Sequence, residues 1–189
     1  MLKVSAILLA AGLSRRMGQD KLLLDYKGKS LFQHSIDLLS VLPVFERIVI
    51  STGARLECIT LPPGIRSCIN HTPESGQSGS IRTGVEAATG THYLFLNADQ
   101  PKLKPYDIIP LLEAAKLHPD KIIFPVIDLK PNSPTVFPNQ FRSELLDLSG
   151  DTGGREIRKT NQDKCFSVEP ECPENFKDID IMEEYNDLF

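Results

Sequence analysis

The sequence lacks the features typical of membrane proteins and nucleic-acid-binding proteins. No apolar run approaches the ~20 residues that a membrane-spanning helix needs, and the apolar residues 6–11 continue into an amphipathic segment rather than a cleavage site. A basic balance is missing as well, because 21 Lys and Arg residues stand against 25 Asp and Glu residues, giving a formal net charge of −4. Duplex-binding domains usually have a pI above about 9. We therefore expect neither a nucleic acid nor a membrane as partner.

The sequence also lacks closely spaced cysteine pairs and any linker that would mark a domain boundary. The four cysteines form no C-x-x-C pair and show no Cys/His ligand spacing, and a chain of 189 residues needs no disulfide framework. The reducing cytoplasm is therefore the expected compartment. No repeat, low-complexity tract or linker interrupts the chain, and domains commonly contain about 100–200 residues. We expect residues 1–189 to form a single domain.

Two standard phosphate-binding motifs are absent. Gly28, Lys29 and Ser30 match the end of a Walker loop, but Leu23 stands where its first glycine is required. Gly12 follows a predicted strand but lacks the further glycines of a dinucleotide-binding fingerprint. The sequence therefore predicts neither a P-loop ATPase nor a Rossmann dehydrogenase.

Short apolar runs alternate with helical patterns along the chain. The apolar runs are continuous, which indicates strands buried on both faces of a mainly parallel sheet; they cover residues 4–10, 47–51, 93–96 and 121–127. Helices are predicted over residues 30–42, 80–89, 107–118, 140–148 and 182–188, and Ser30 with Gln33 forms a capping-box start for the first. The predicted fold is an α/β three-layer sandwich with helices on both faces of the sheet.

The loop after the first predicted strand, residues 9–21, carries the clearest functional signal. It leaves the carboxyl end of a strand, where ligands bind in open α/β sheets, and Gly12 and Gly18 allow a ligand to approach the backbone closely. Its basic residues exceed its single acidic one by two, and residues 1–66 as a whole carry nine basic and five acidic side chains. The loop predicts a phosphate site, although a solvated surface loop would have a similar composition.

Two further segments point to the same edge of the sheet. Asp99 follows the predicted strand 93–96 and could hold a hard cation beside a polyphosphate, although an Asp before Pro101 is also a common turn residue. The glycine- and serine-rich residues 76–84 enter a helix, which suits an anion or base edges but would equally suit a simple helix cap.

The loop 9–21 resembles the signature loop of nucleotidyltransferases that activate sugars, isoprenoid precursors and molybdopterin. It is most similar to molybdenum-cofactor cytidylyltransferases and to related accessory proteins of molybdenum hydroxylases. The resemblance implies that Arg16, Lys21 and Asp99 are catalytic and that Asp99 and Asp180 bind Mg²⁺. The implied nucleotide-binding residues are Leu9, Ala10, Ala11, Gly12, Ser14, Arg16, Lys21, Gln77, Ser78 and Ser80.

The second half of the chain extends the resemblance. Asp151 and Arg155 lie in a turn that implies acceptor binding, although the same turn could simply cap a helix. Relatives commonly have a Gly-His or similar pair where Asn132 and Ser133 stand, and this departure leaves the identity of the acceptor open. The acidic tail, with two basic and nine acidic residues in 163–189, contains Asp180, which is either a metal ligand or a helix cap.

The expected reaction is Mg²⁺-dependent transfer of CMP from CTP to molybdopterin, with release of pyrophosphate. The Ala10-Ala11-Gly12 run favours CTP over GTP, because the guanylyl branch carries Ala-Gly-Gly there. Transfer to a sugar or alditol phosphate is an alternative on the same fold. A non-catalytic accessory protein that delivers cofactor to a molybdenum hydroxylase is the alternative from another class.

Overall fold

A mainly parallel sheet of eight strands forms the middle layer of the protein. The computed structural model describes residues 2–14 and 17–188. The strands of this sheet are β1 (Val4–Ala10), β4 (Glu46–Ser51), β5 (Ile65–Ile69), β6 (His92–Asn97), β7 (Ile122–Ile127), β8 (Lys130–Pro131), β9 (Thr135–Pro138) and β10 (Cys165–Val168). Two further strands, β2 (Asp25–Tyr26) and β3 (Lys29–Ser30), form a small separate hairpin.

The sheet order is β10-β7-β9-β6-β1-β4-β5, with β8 added beside β7. β1 lies parallel to β4 and β6, and β10 lies parallel to β7. β9 runs antiparallel to both of its neighbours, so the sheet is mixed but mainly parallel. Leu9 pairs with Asn97 in the β1–β6 register, which brings the ends of these two strands to the same edge.

Helices cover both faces of the sheet. Their bounds are α1 (Leu31–Val41), α2 (Gly53–Glu57), α3 (Gln77–Ala87), α4 (Pro105–Leu117), α5 (Arg142–Leu146), α6 (Gly154–Thr160) and α7 (Met182–Asn186). Along β1 the side chains alternate, so that Ala6 and Leu8 join one core with α1 and α4 while Ile7 joins another with α3, α5 and α6. The α/β three-layer sandwich predicted from the sequence is thereby confirmed. No helix of the described residues combines the length and apolar character needed to cross a membrane.

The helix boundaries predicted from the sequence agree with the structure only in part. Ser30 accepts a hydrogen bond from the Gln33 backbone N–H at 3.1 Å and caps α1, but the Gln33 side chain bonds Asp37 instead of completing the capping box. α3 begins at Gln77 rather than Ser80, and the helix predicted over 140–148 is a 3-10 turn followed by α5.

The sequence reading missed the outer strands β5 and β10. Both have several exposed or half-buried positions and mixed polar composition, because each lies at an edge of the sheet. The continuous apolar run that identifies a central strand is absent from such edges.

Candidate active site

A cleft of about 540 Å³ opens where β1 and β6 end. One side is formed by the loop after β1 and the 3-10 helix Lys21–Leu23, and the other by the start of α3 and the turn at Gly150. The predicted nucleotide-binding residues that line the cleft are Leu9, Ala11, Gly12, Ser14, Lys21, Gln77 and Ser80.

Arg55 of α2 holds the loop after β1 in place. Its guanidinium is only 4% exposed and donates two hydrogen bonds to the Asp20 carboxylate, at 2.9 and 2.8 Å. It also donates to the backbone carbonyl oxygens of Ala10 and Gly12. Because Arg55 pairs with Asp20, the acidic charge of the loop is already compensated before any ligand binds. The sequence reading did not identify Arg55, since nothing near it in the chain marks it.

Lys21 lies between two carboxylates at the floor of the cleft. Its Nζ is 2.8 Å from Asp99 Oδ2 and 3.0 Å from Asp180 Oδ1, and it donates a third hydrogen bond to the Ile179 carbonyl oxygen at 2.7 Å. Burial alone lowers the pKa of Lys21, but the charges and hydrogen bonds of Asp99 and Asp180 outweigh it, so that the pKa is raised above its ordinary value. The ammonium is therefore charged and neutralises part of an acidic cluster.

Asp178 is a third carboxyl group in this cluster, and the sequence reading missed it. Burial and the nearby negative charges of Asp99 and Asp180 raise the pKa of Asp178 to about 7. Its Oδ1 is buried without a hydrogen-bond partner among the described residues. The tail therefore brings two carboxyl groups, two positions apart, to the end of β6, where the Ile179 backbone N–H donates to the Asp99 carbonyl oxygen at 2.9 Å.

The carboxylates suit a divalent cation that a polyphosphate helps to bind. Asp99 Oδ1 is buried and has no hydrogen-bond partner among the described residues, which leaves a hard oxygen ligand available. No group of three or more His, Cys, Asp or Glu side chains in the described part of the chain is arranged to hold a metal by itself. Two carboxylates with several outside oxygens match the way Mg²⁺ binds with substrate phosphates. Asp99 and Asp180 thus fit a shared metal site.

The start of α3 packs directly against the turn that follows α5. Gly76 has a φ of +78°, and a Cβ there would lie 2.6 Å from Asp151 Cα. The Gln77 backbone N–H donates to Asp151 Oδ1 at 3.3 Å, and the Ser78 hydroxyl donates to the Gly150 carbonyl oxygen at 2.6 Å. Only glycine allows this close approach, so the two segments form one continuous wall.

The location of two predicted nucleotide contacts differs from expectation. The side chain of Ser78 is fully buried in the junction with Gly150, and Ser78 does not line the cleft. Ala10 is 1% exposed, and its carbonyl oxygen accepts from Ser51 and Arg55. The Ser78 hydroxyl and the Ala10 carbonyl oxygen are thus bonded within the protein. Both residues support the walls of the cleft.

Space beside Gly12 is open. A Cβ on Gly12 would meet no heavy atom of the described residues within 4 Å, and Gly12 lines the cleft. Packing within the protein therefore does not explain the glycine. Deeper in the cleft, the Ser80 hydroxyl accepts from the buried Asn70 side chain at 3.1 Å, a partner that the sequence reading did not name.

A second cavity of about 250 Å³ adjoins the cleft. Leu9, Gln77 and Asn97 line both spaces. The predicted acceptor residues are divided between them, since Asp151 lines the cleft and Arg155 lines the second cavity. The residues at the departure from the family pattern, Asn132 and Ser133, also line this cavity, as does Arg158.

The structure brings together residues that are far apart in the chain. Lys21, Asp99 and Asp180 line the same cleft as the predicted residues of the first loop. The predicted catalytic and nucleotide-binding residue Arg16 lies outside the described residues. The roles assigned to all these side chains stay predictions.

A cleft at the carboxyl ends of parallel strands is where open α/β sheets bind their ligands, and its lysine and glycine-containing loop suit a phosphate-bearing one. The chain belongs to the MobA-like NTP transferase domain family, which its residues 6–165 match.

Two curated relatives illustrate the similarity. A probable molybdenum cofactor guanylyltransferase of Rhodopirellula baltica is 30% identical over 62% of this chain, which covers 58% of that protein's length. The purine catabolism protein PucB of Bacillus subtilis is 31% identical over 95% of this chain and 93% of its own length.

Solved structures share the fold. Rv0371c of Mycobacterium tuberculosis H37Rv superposes with a TM-score of 0.81 at 19% identity, covering 99% of this chain and 97% of its own. The CMP:2-keto-3-deoxy-manno-octonic acid synthetase complexed with CTP superposes with a TM-score of 0.77 at 15% identity, covering 98% and 96%. At these identities the likeness concerns the fold alone.

Proposed function

We propose that this protein transfers CMP from CTP to the phosphate of molybdopterin, with Mg²⁺ as cofactor and pyrophosphate as second product. The observation that carries the proposal is the Lys21 ammonium held between Asp99 and Asp180 in a cleft at the carboxyl edge of the sheet. A charged lysine and two carboxylates supply the groups that a metal-bound triphosphate needs. The 189 residues act as one domain in this proposal, in the cytoplasm where nucleoside triphosphates are made.

The chain's own residues bind and orient the reactants. Lys21, together with Arg16, holds the triphosphate and offsets the charge that accumulates on the departing pyrophosphate. Asp99 and Asp180 would hold Mg²⁺, which supplies charge neutralisation across the phosphates when bound. Arg55 keeps the loop in the shape that brings Lys21 to this position. Positioning and charge neutralisation supply most of the acceleration in such transfers, so no protein nucleophile is needed.

The base is selected at the loop after β1. Ala11 is 2% exposed and lines the cleft, so its methyl group occupies space that a glycine would leave open. Less space favours the smaller cytosine ring over guanine. Curated relatives named as guanylyltransferases favour GTP instead, which makes the base the part of the proposal to test first.

The acceptor is proposed from the curated relatives named for the molybdenum cofactor. A relative that aligns over nearly its whole length is named for purine catabolism rather than for a cofactor. Asn132 and Ser133 in the second cavity also depart from the family pattern, which favours a sugar or alditol phosphate as the second candidate acceptor.

A two-stage assay tests the proposal. Binding of the four nucleoside triphosphates with Mg²⁺ is measured first by thermal shift, and pyrophosphate release is then measured with molybdopterin, a sugar phosphate or an alditol phosphate as acceptor. We expect CTP to give the largest shift and molybdopterin the fastest release. Ala11→Gly should increase activity with GTP relative to CTP. No pyrophosphate release with any pair of substrates would refute the enzymatic proposal.

A non-catalytic role in cofactor delivery to a molybdenum hydroxylase makes a different prediction. Asp99→Ala would abolish nucleotidyl transfer but leave hydroxylase activation intact if delivery were the function. In our proposal Asp99→Ala abolishes both, because the hydroxylase receives the nucleotide form of the cofactor. Reconstitution of a cofactor-free hydroxylase with wild-type and variant protein measures the difference.

A further inference from the structure

The second cavity carries more positive than negative charge. Arg155 and Arg158 line it from one face of α6, three residues apart. Asp178 is the one acidic residue among the described residues that line this cavity. No carboxylate of the described chain forms an ion pair with either arginine, although seven such pairs occur elsewhere in it.

Arg158 is half-buried, yet among the described residues its guanidinium has almost no hydrogen-bond partners. Its guanidinium carbon lies 4.5 Å from the centroid of the Phe124 ring, which fixes the plane of the group. Within the described residues the guanidinium makes one hydrogen bond, from Nη1 to Thr135 Oγ1, at 3.5 Å. A guanidinium has five N–H donors, and burying them without acceptors is costly. Burial lowers the pKa of Arg158, which reflects this cost.

The position of this arginine suits an anion that reacts with the nucleotide. Leu9, Gln77 and Asn97 line both the cleft and the second cavity. A group bound beside Arg158 therefore adjoins a nucleotide bound in the cleft. A planar guanidinium with free donors binds phosphate in a two-pronged manner. A second arginine nearby supplies the further charge that a phosphate dianion requires.

We infer that Arg158, assisted by Arg155, binds the phosphate monoester of the acceptor and aims it at the α-phosphorus of the nucleotide. This inference rests on the proposed nucleotidyl transfer. An oxygen of the acceptor phosphate forms the new bond to the α-phosphorus, while the bond to the bridging oxygen breaks and its electron pair leaves with pyrophosphate. A phosphate dianion needs no general base for this attack. The acceptors of this protein are therefore phosphate monoesters and not free alcohols.

Calorimetric titration of inorganic phosphate into the complex with Mg²⁺ and a non-hydrolysable CTP analogue tests the inference. The analogue fills the cleft, so that phosphate reports on the second cavity. We expect Arg158→Met to weaken phosphate binding about tenfold or more and Arg158→Lys to restore part of it. In steady-state assays the same variants should raise KM for the acceptor and leave KM for the nucleotide unchanged.

Lys159→Met is the matched control, because Lys159 is exposed on the same helix, pairs with Glu156 and does not line the cavity. It removes the same charge and should bind phosphate as the wild type does. Equal phosphate affinity in Arg158→Met and the wild type, with reduced thermal stability, would show that Arg158 only packs on Phe124 and would overturn the inference. Failure of the wild type to bind any nucleoside triphosphate would instead refute the proposed function. In that case titration of the nucleotide-free proteins still decides whether Arg158 binds phosphate.

Discussion

The Lys21 ammonium lies 2.8 Å from Asp99 Oδ2 and thereby occupies the space beside the carboxylate that we propose as a metal ligand. Like charges on Asp99 and Asp180 would repel each other in this half-buried site without a cation between them. Lys21 supplies that cation in the nucleotide-free protein. Metal binding at the same carboxylates therefore competes with the lysine, which a triphosphate can accept as a new partner.

We expect Lys21→Met to separate these two roles. Without the competing ammonium, Mn²⁺ should bind the nucleotide-free variant more tightly than the wild type, by about tenfold, or 1.4 kcal/mol. Binding of the nucleoside triphosphate should weaken, because its phosphates lose a partner. Paramagnetic resonance of free Mn²⁺ measures the first effect and calorimetry the second. Lys29→Met, which breaks the exposed pair with Asp37, is the control; unchanged Mn²⁺ affinity in Lys21→Met would contradict the competition.

Arg55→Met should destabilise the fold and loosen the loop after β1. The substitution removes the guanidinium hydrogen bonds to Asp20 and to the carbonyl oxygens of Ala10 and Gly12. Breaking a fully buried pair costs about 3–5 kcal/mol, and because Asp20 is 32% exposed we expect about 2 kcal/mol here. Urea unfolding measures the change, and nucleotide affinity should fall with it. Arg55→Lys retains the charge but not the forked geometry, so its loss should be smaller; equal stability of Arg55→Met and wild type would show that the contacts are dispensable.

Gly12→Ala should affect ligand binding and spare the fold. The added methyl group meets no heavy atom within 4 Å in the part of the chain that the structure describes, but it enters the cleft. We expect the free energy of unfolding to change by less than about 0.5 kcal/mol, while the Kd for the triphosphate rises about tenfold. Gly53→Ala is the control, since its Cβ makes an ordinary 3.8 Å contact with Ile69 away from the cleft. Unchanged nucleotide affinity in Gly12→Ala would place the nucleotide elsewhere.

Asp178 makes stability depend on pH in the metal-free protein. Its pKa is raised to about 7 in the folded state, chiefly by burial, so the folded protein keeps a proton that the unfolded chain releases near pH 4. The contribution to the free energy of unfolding is therefore complete below about pH 4 and is lost as the pH rises to about 7. Asp178→Asn should remove this decline and stabilise the protein at pH 8 by about 2 kcal/mol.

Unfolding curves in metal-free buffer at several pH values check this expectation. Asp163→Asn is the control, because it removes the same charge at an exposed position. This variant should retain the pH dependence of the wild type. A parallel decline in Asp178→Asn and the wild type between pH 4 and 7 would exclude Asp178 as its source.

Local sequence patterns were sufficient to predict the central strands of the sheet and the loop after β1. β1 and β6 are continuous apolar runs because both faces of a central strand are buried, and this is visible in a few neighbouring residues. The loop after β1 and Asp99 follow those strands directly, so their place at the carboxyl edge was predictable. The edge strands β5 and β10 were not, since all their positions are exposed or half-buried and so leave no continuous apolar run.

The sequence by itself determined the sheet's central strands, the loop that follows β1 and the carboxylate at the end of β6, because each depends on residues adjacent in the chain. Tertiary structure alone decided which charges meet. Lys21 reaches Asp180 across 159 positions and Arg55 reaches Asp20 across 35, while Arg158 lines a cavity that no local pattern marks. Electrostatic pairing acts through space at a few ångströms and is independent of the separation along the chain, so only the folded backbone could bring these side chains together.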